Sequence, residues 1–275
     1  RKGGNALMDY FNPDDFRKSL PKLGTVSSYD SHAGKTVKYI NIPFAFDTET
    51  TSTYHEGEKI AFMYEWTFGY FYDHEYRICY GRTWEEFLNL VNILRDKYHL
   101  GERKRIIVYV HNLAYEFQFM HKYFTWDYVF ATDKRYPVKG LTEGIEFKDS
   151  LILANMRLAK VGDNLQKYKV EKKIGDLDYN LIRTSSTPMT EKELGYCEND
   201  VKVVLAYIQE QIEQYDYNIT KLPMTNTGRV RRFIRDKCFF KGRNHKEVSG
   251  EKFKKYSDLM QELTLTPLEY KRIHD

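Results

Sequence analysis

Between Tyr39 and Tyr80 apolar residues recur at every second position in three bursts: Ile40, Ile42, Phe44 and Phe46, then Ile60, Phe62, Tyr64, Trp66 and Phe68, then Tyr76, Ile78 and Tyr80. A period of two is that of an extended chain with one buried face, so the pattern predicts three strands, the first ending at Asp47. The links are short enough for an antiparallel meander. The period then changes. Thr83-Trp84-Glu85-Glu86 has the form of a capping box, and Trp84, Phe87, Leu88, Val91 and Leu94 follow at helical spacing. Ile106 to Val110 is an unbroken apolar run, which suits a central strand covered on both faces, and a helix is expected from near Ala114. Residues 145–153 read as a further strand, or as a strand with a helix starting at Ser150. Thr190 and Glu193 make a second capping box, and Leu194, Cys197, Val201, Val204, Ile208, Ile212 and Tyr215 form the buried stripe of a long helix. Residues 1–37 mix Gly, Ser, Pro and charge without a period, and read as an irregular extension.

Composition bounds the class. With 41% hydrophobic and 30% charged residues in 275, the chain can bury a large core, and no apolar stretch approaches a membrane span. Cys79, Cys197 and Cys238 are odd in number and lack metal-ligand spacing, which argues against a disulfide framework and a zinc site, and points to a reducing, cytoplasmic setting. Arg1 and Gly3-Gly4-Asn5 match neither a secretion nor a transit signal, and suggest a piece of a longer parent. The net charge of +4 conceals a division: residues 221–275 hold 14 Lys/Arg against 7 Asp/Glu, so that 38–220 are net acidic. An acidic centre with a basic flank suits a protein holding divalent cations and lying along a polyanion, although a solvated basic helix has the same signature. The expected division is a domain over 38–220 between the extension and a basic segment, 221–275.

Three short acidic segments bring in chemistry. Asp47-Thr48-Glu49 closes the first strand, Asn112-Leu113-Ala114-Tyr115-Glu116 follows the central run, and Tyr196-Cys197-Glu198-Asn199-Asp200 lies in the long helix. Asp47 and Glu49 are two apart and leave one face of a strand; Tyr196 and Asp200 are four apart and share a helix face beside the apolar stripe. Carboxylates near one another lose hydration and repel, so a cluster at the rim of a core calls for bound cations. Hard oxygen ligands select Mg²⁺ or Mn²⁺, and two such ions ~3.5–4 Å apart can hold both the attacking water and the leaving oxygen of a phosphodiester. Singly, Asp-x-Glu is more often a solvated strand end and Tyr-x-x-x-Asp a plain helix face; the ordered set carries the weight.

The order of elements is that of a ribonuclease H-like α/β fold, a mixed sheet flanked by helices, in which the first and central strands lie side by side. In its motifs the chain resembles the 3′-5′ exonuclease domain of family B DNA polymerases, most closely the protein-primed polymerases of phages and linear plasmids. The resemblance runs over residues 38–260 and rests on Phe46-Asp47-Thr48-Glu49-Thr50-Thr51, Tyr109-Val110-His111-Asn112-Leu113-Ala114-Tyr115-Glu116 and Tyr196-Cys197-Glu198-Asn199-Asp200. Asp149-Ser150-Leu151 and Gly175-Asp176-Leu177-Asp178-Tyr179 add to it. The superfamily's variant with a general-base His would need it at 195, which is Gly.

The resemblance implies two divalent cations, Mg or Mn, held by Asp47, Glu49, Glu116 and Asp200. It implies a water oriented by Tyr196, and an unpaired DNA 3′ end gripped by Thr50, Tyr109, His111, Asn112, Tyr115, Phe119, Ser150, Leu151 and Tyr179. Aromatic faces there would stack on bases while Asn, Ser and Thr reach sugar and phosphate. The implied activity is proofreading release of nucleoside monophosphates, and the implied partners are single-stranded DNA, a polymerase domain and a terminal priming protein, with no membrane. Two positions depart from the family pattern. Glu116 stands where the family carries Asp, and Ile174 stands where its catalytic Lys precedes the Gly-Asp step. A one-residue bulge would restore that role to Lys173, which otherwise reads as a solvated lysine. No Asp-rich palm motif of a polymerase follows. The alternative is a degenerate exonuclease fold that binds single-stranded DNA or a priming protein without cutting.

Overall fold

A computed structural model describes residues 8–132, 136–170 and 181–234. The chain divides into two compact units, residues 1–225 and 226–275. The first opens with strand β1 (Asp9–Tyr10) and helix α1 (Pro13–Ser19). Asn12 caps α1, its Oδ1 accepting from the N–H groups of Asp14 and Asp15 at 3.0 and 3.1 Å, and Pro13 brings a backbone angle already suited to the first turn. A hairpin of β2 (Thr25–Asp30) and β3 (Lys35–Ile40) follows. The extension expected to be irregular is therefore folded over its described part. Its elements are short and β2 is polar, so no period announces them.

Pro43 divides what reads as one first strand, because it has no N–H to give to a ladder. β3 stops at Ile40 and β4 (Phe44–His55) starts beyond it. Nor does β4 end at Asp47. It runs on to His55, paired antiparallel with β5 (Glu58–Tyr72), with a bulge between Glu49 and Thr50. The strand β6 (Glu75–Gly81) completes the meander. Helix α2 (Trp84–Tyr98) has its capping box, with Thr83 and Glu86 each accepting the other's backbone N–H. Then come β7 (Lys104–Val110), α3 (Leu113–Met120), β8 (Tyr128–Ala131), β9 (Pro137–Thr142) and β10 (Ile145–Asp149). Residues 145–153 are a strand that becomes helix α4 (Ser150–Ala154), the second of the two readings. Helices α5 (Leu158–Asn164) and α6 (Glu191–Gln214) complete the unit, and α6 carries the Thr190–Glu193 capping box. The second unit contributes α7 (Asn226–Ile234). No described helix is long and apolar enough to cross a membrane.

Among the described residues the strands form one mixed sheet, with main path β1-β6-β5-β4-β7-β10-β9-β8 and with β3 pairing both β2 and β7. The first long strand and the central one do lie side by side: β4 runs parallel to β7, Phe44 opposite Val108 and Ala45 opposite Tyr109. Alternation sorts the two faces. Phe44, Phe46, Trp66, Phe68, Ile106 and Val108 share a core with Phe87, Leu90, Val91 and Leu94 of α2. Ala45, Phe71, Ile107 and Tyr109 turn the other way, onto Val201, Val204, Leu205, Ile208 and Ile212 of α6. The same parity sends Asp47 and Glu49 to the α6 face and Thr48 to the face of α2 and α3.

Beyond the core stripe, Glu210 of α6 turns its Oε1 to the chain after α5. It accepts from the backbone N–H groups of Gln166, Lys167 and Tyr168 at 2.8, 2.6 and 3.0 Å, which fastens that backbone to the helix.

The tightest glycine in the meander is Gly81, where an added Cβ would lie 2.3 Å from Cζ2 of Trp66. Trp66 is wholly buried, packs on Phe87 and donates its indole N–H to the Thr83 carbonyl at 2.8 Å, so it has nowhere to retreat. Gly81→Ala should cost about 1–3 kcal/mol of stability, read from chemical denaturation. A cost near zero would mean that this corner of the core is loosely packed.

Candidate active site

The site forms where the Asp47–Glu49 stretch of β4 meets α6 and the start of α3. Asp47 and Glu49 reach it because they continue the row begun by Ala45, while Asp200 and Tyr196 lie one turn apart on α6, which is laid over that row by its apolar stripe. The Tyr196 hydroxyl is hydrogen-bonded to the Asp200 carboxylate. Cys197, buried between them in sequence, turns its thiol to Glu49 Oε1 at 3.9 Å. Glu116, in the first turn of α3, is buried and accepts from the Thr48 hydroxyl. Five residues expected from the sequence to act together, Asp47, Glu49, Glu116, Tyr196 and Asp200, are thus brought together at the Asp47–Glu49 stretch of β4.

The electrostatics of the cluster follow from crowding. Loss of water, and then the neighbouring charges of Glu116, Asp200, Glu49 and Glu65, hold Asp47 well above the usual carboxylate range. Burial followed by Glu65, Asp200 and Glu116 does the same to Glu49. Burial pushes Glu116 up to about 8 against the lowering effect of the Thr48 hydrogen bond, and pushes Asp200 up to about 6 against that of Tyr196. These acids have chiefly one another as electrostatic neighbours, which is the donor set that a hard divalent cation suits. Among the described residues no three Asp, Glu, His or Cys side chains already form a cage for an ion.

One acid of the cluster is absent from the sequence reading. Glu65 of β5 stands directly opposite Glu49 in the ladder and is 1% exposed. Burial pushes it up to about 8, with the Thr67 hydrogen bond and then the Arg82 charge acting the other way. Arg183 was also not foreseen. It is buried, donates to Glu193 Oε1 at 2.6 Å, lies over the Tyr64 ring and gives its backbone N–H to the Thr51 hydroxyl at 3.4 Å, tying the chain before α6 to β4 and β5. An isolated Glu in a strand pattern, or an Arg in a Thr/Ser-rich stretch, gave no signal for either.

The residues expected to grip DNA divide into a rim and a support. Thr50 and Tyr115 share a hydroxyl hydrogen bond, Tyr115 is exposed, and its ring meets Phe119 edge-on at 5.2 Å. Asn112 is exposed and takes a left-handed conformation, φ 83°, at the head of α3. Leu151 is half-buried. By contrast Tyr109 and Ser150 are 2% and 1% exposed. Tyr109 belongs to the core under α6, because both faces of β7 are covered. Ser150 is spent inside, between His111 Nδ1 at 3.1 Å and the Val110 carbonyl at 3.3 Å. His111 is pushed down to about 4 by burial and so stands neutral. Asp149 also works internally, its two oxygens accepting from Leu113 at 3.0 Å and from Leu151 and Ile152 at 2.6 and 3.1 Å, which joins the starts of α3 and α4. Lys173, Tyr179 and most of the basic segment lie outside the described residues.

No protein-family model and no curated protein matches the sequence. Among solved structures the chain is similar to Phi29 DNA polymerase. The complex with primer-template DNA and incoming nucleotides matches at TM-score 0.55 and 18% identity over 71% of this chain and 34% of that one. The complex with primer-template DNA alone matches at TM-score 0.54 over 78% and 36%, and the complex with single-stranded DNA at 0.52 over 71% and 35%. The chain thus spans about a third of the length of these polymerases, and it shares the fold of that part.

The acid cluster makes stability depend on pH in a definite sense. Asp47, Glu49, Glu65, Glu116 and Asp200 all hold protons more tightly folded than unfolded. Their contribution is complete below the unfolded carboxylate range, ~4, and is lost as pH rises through the folded values. In EDTA the melting temperature should therefore fall from about pH 5 to about pH 9, and Mn²⁺ should reverse most of the fall at the alkaline end. A profile in EDTA that is flat or rises with pH would contradict the clustering.

Proposed function

We propose that the chain is a metal-dependent 3′-5′ exonuclease of the ribonuclease H-like kind, the proofreading part of a protein-primed family B DNA polymerase. The observation that supports it best is the meeting of Asp47 and Glu49 of β4 with Tyr196 and Asp200 of α6, with Glu116 beside them. On this reading Asp47, Glu49 and Asp200 hold one cation, and Asp47 with Glu116 the second. Bound Mg²⁺ or Mn²⁺ supplies Lewis acidity, bringing the pKa of a coordinated water toward ~7 and stabilising charge on the leaving 3′ oxygen.

The chain's own residues do the rest. Tyr196, its hydroxyl tied to Asp200, orients the attacking water in line with the terminal phosphodiester. Tyr115 and Phe119 offer ring faces to the unpaired bases, and Thr50 and Asn112 offer polar groups to sugar and phosphate. Tyr109, Ser150 and His111 act from behind, by holding the strand end and the heads of α3 and α4. Lys173 would stabilise charge on the phosphate, and Tyr179 would contact the DNA. A polymerase domain and a terminal priming protein are the partners this reading expects.

A second reading, a binding module that holds single-stranded DNA without cutting, has one observation in its favour: the Glu116 carboxylate is already engaged by the Thr48 hydroxyl. Incubation with 3′- and 5′-labelled single strands, in Mn²⁺ and in EDTA, separates the two. Nucleoside monophosphates released from the 3′ end only with metal support the first, and retention of intact strands in both conditions supports the second.

Two substitution sets test the roles. Asp47→Ala or Asp200→Ala should lower the cleavage rate at least about a hundredfold, ~2.7 kcal/mol of barrier, while the metal-free melting temperature holds or rises. A rate within about tenfold of the parent would remove that residue from the site. Glu116→Asp should keep or raise the rate, since a shorter arm draws the carboxylate away from Thr48, whereas Glu116→Ala should lower it strongly; equal rates for all three would show that Glu116 takes no part.

A further inference from the structure

Glu65 is an acid of the cluster to which no motif assigns a role. It faces α6 from β5, in register with Glu49 across the ladder, and directly opposed positions on one face bring side chains close. The next residue, Trp66, and Phe68 two beyond it point to the other face, into the core under α2. Thr67 donates to its Oε1 at 2.7 Å, but Oε2 is buried with no hydrogen-bond partner. An unmatched carboxylate oxygen in the interior is costly, and beside a second buried acid it costs more. For stability alone, an apolar side chain of similar volume would serve as well or better at this position. A cation next to Glu49 reverses that balance, because it turns two repelling acids into two ligands of one charge.

Building on the exonuclease reading, we propose that Glu65 is a further carboxylate of the cation centre. The ion held by Glu49, directly or through a water of its hydration shell, completes the unpartnered oxygen of Glu65. Thr67 keeps the group turned to the α6 face, and the thiol of Cys197 on α6 lies against both Glu49 and Glu65. The metal centre therefore extends from β4 onto β5. Glu65 sets how tightly the divalent ion is held, and does not touch the phosphodiester.

The test measures Mn²⁺ binding by the full chain without DNA, by the loss of the free-ion electron paramagnetic resonance signal, alongside melting curves with and without Mn²⁺. Glu65→Gln keeps the shape and hydrogen bonding of a neutral acid, and Glu65→Leu is the apolar replacement. Each should weaken Mn²⁺ affinity by about tenfold. Each should also leave the metal-free melting temperature equal or higher, and shrink the rise that Mn²⁺ produces. Asp47→Asn is the control for the site itself and should lose binding. Unchanged affinity in both Glu65 variants with binding lost in Asp47→Asn overturns the role of Glu65 and leaves the exonuclease reading standing. A lower metal-free melting temperature with an undiminished Mn²⁺ rise shows a structural role and overturns it as well. If the parent chain binds no Mn²⁺, the site reading falls and this inference with it.

Discussion

Side-chain alternation along β4 is the constraint on which the rest of this structure depends. In four residues the strand passes from Phe46, packed face to face on Phe87 with ring centroids 4.3 Å apart, to Glu49, beneath the thiol of α6. A slip of one residue would drive Asp47 and Glu49 into the aromatic core under α2 and expose Phe46 to the acids. Register is secured at both ends. Pro43 fixes where pairing can begin, and the long ladder with β5 holds the strand beyond the bulge at Glu49. Helix α6 is positioned by the same alternation read from the other side, since its stripe packs on Ala45, Ile107 and Tyr109.

The cluster is built against stability. Apolar layers on both faces of the sheet hold together acids that repel, and the protons they retain relieve part of the conflict. On the proposed reading a divalent ion would relieve it better, because it would leave the carboxylates ionised and give their oxygens a partner, with the cost of the crowding borne by the cores under α2 and α6.

Much of this was legible in the sequence, and the parts that were not share a physical cause. The meander, the central strand, the two capping boxes and the acidic motifs are local signals, carried by spacing within a few residues. Strands β8 and β9 lack such a signal: Tyr128–Ala131 is exposed along most of its length, and in Pro137–Thr142 burial does not alternate cleanly. Glu65 sits between Tyr64 and Trp66 in plain alternation, which gives no sign of its burial. It is buried because α6, more than a hundred positions later in the chain, covers that face, and a single strand's pattern cannot report a cover supplied from so far away. Tyr109 and Ser150 are likewise buried by cover that their own strand or helix pattern does not report. Motif matching marks which residues attend a site, but burial decides whether they touch what enters it or hold up those that do.

The grip of Glu210 on the backbone of Gln166, Lys167 and Tyr168 has a mechanical consequence. Three N–H groups on one carboxylate oxygen make a joint that resists rotation as well as separation, so the backbone at 166–168 is tied to α6. Asp200 and Tyr196 ride on the same rod. A tilt of α6 by a given angle therefore displaces the acid pair near its start and this clamped backbone near its end together, as two marks on one ruler, and the spacing between them is set by helix rise alone, about 1.5 Å for each residue along the rod.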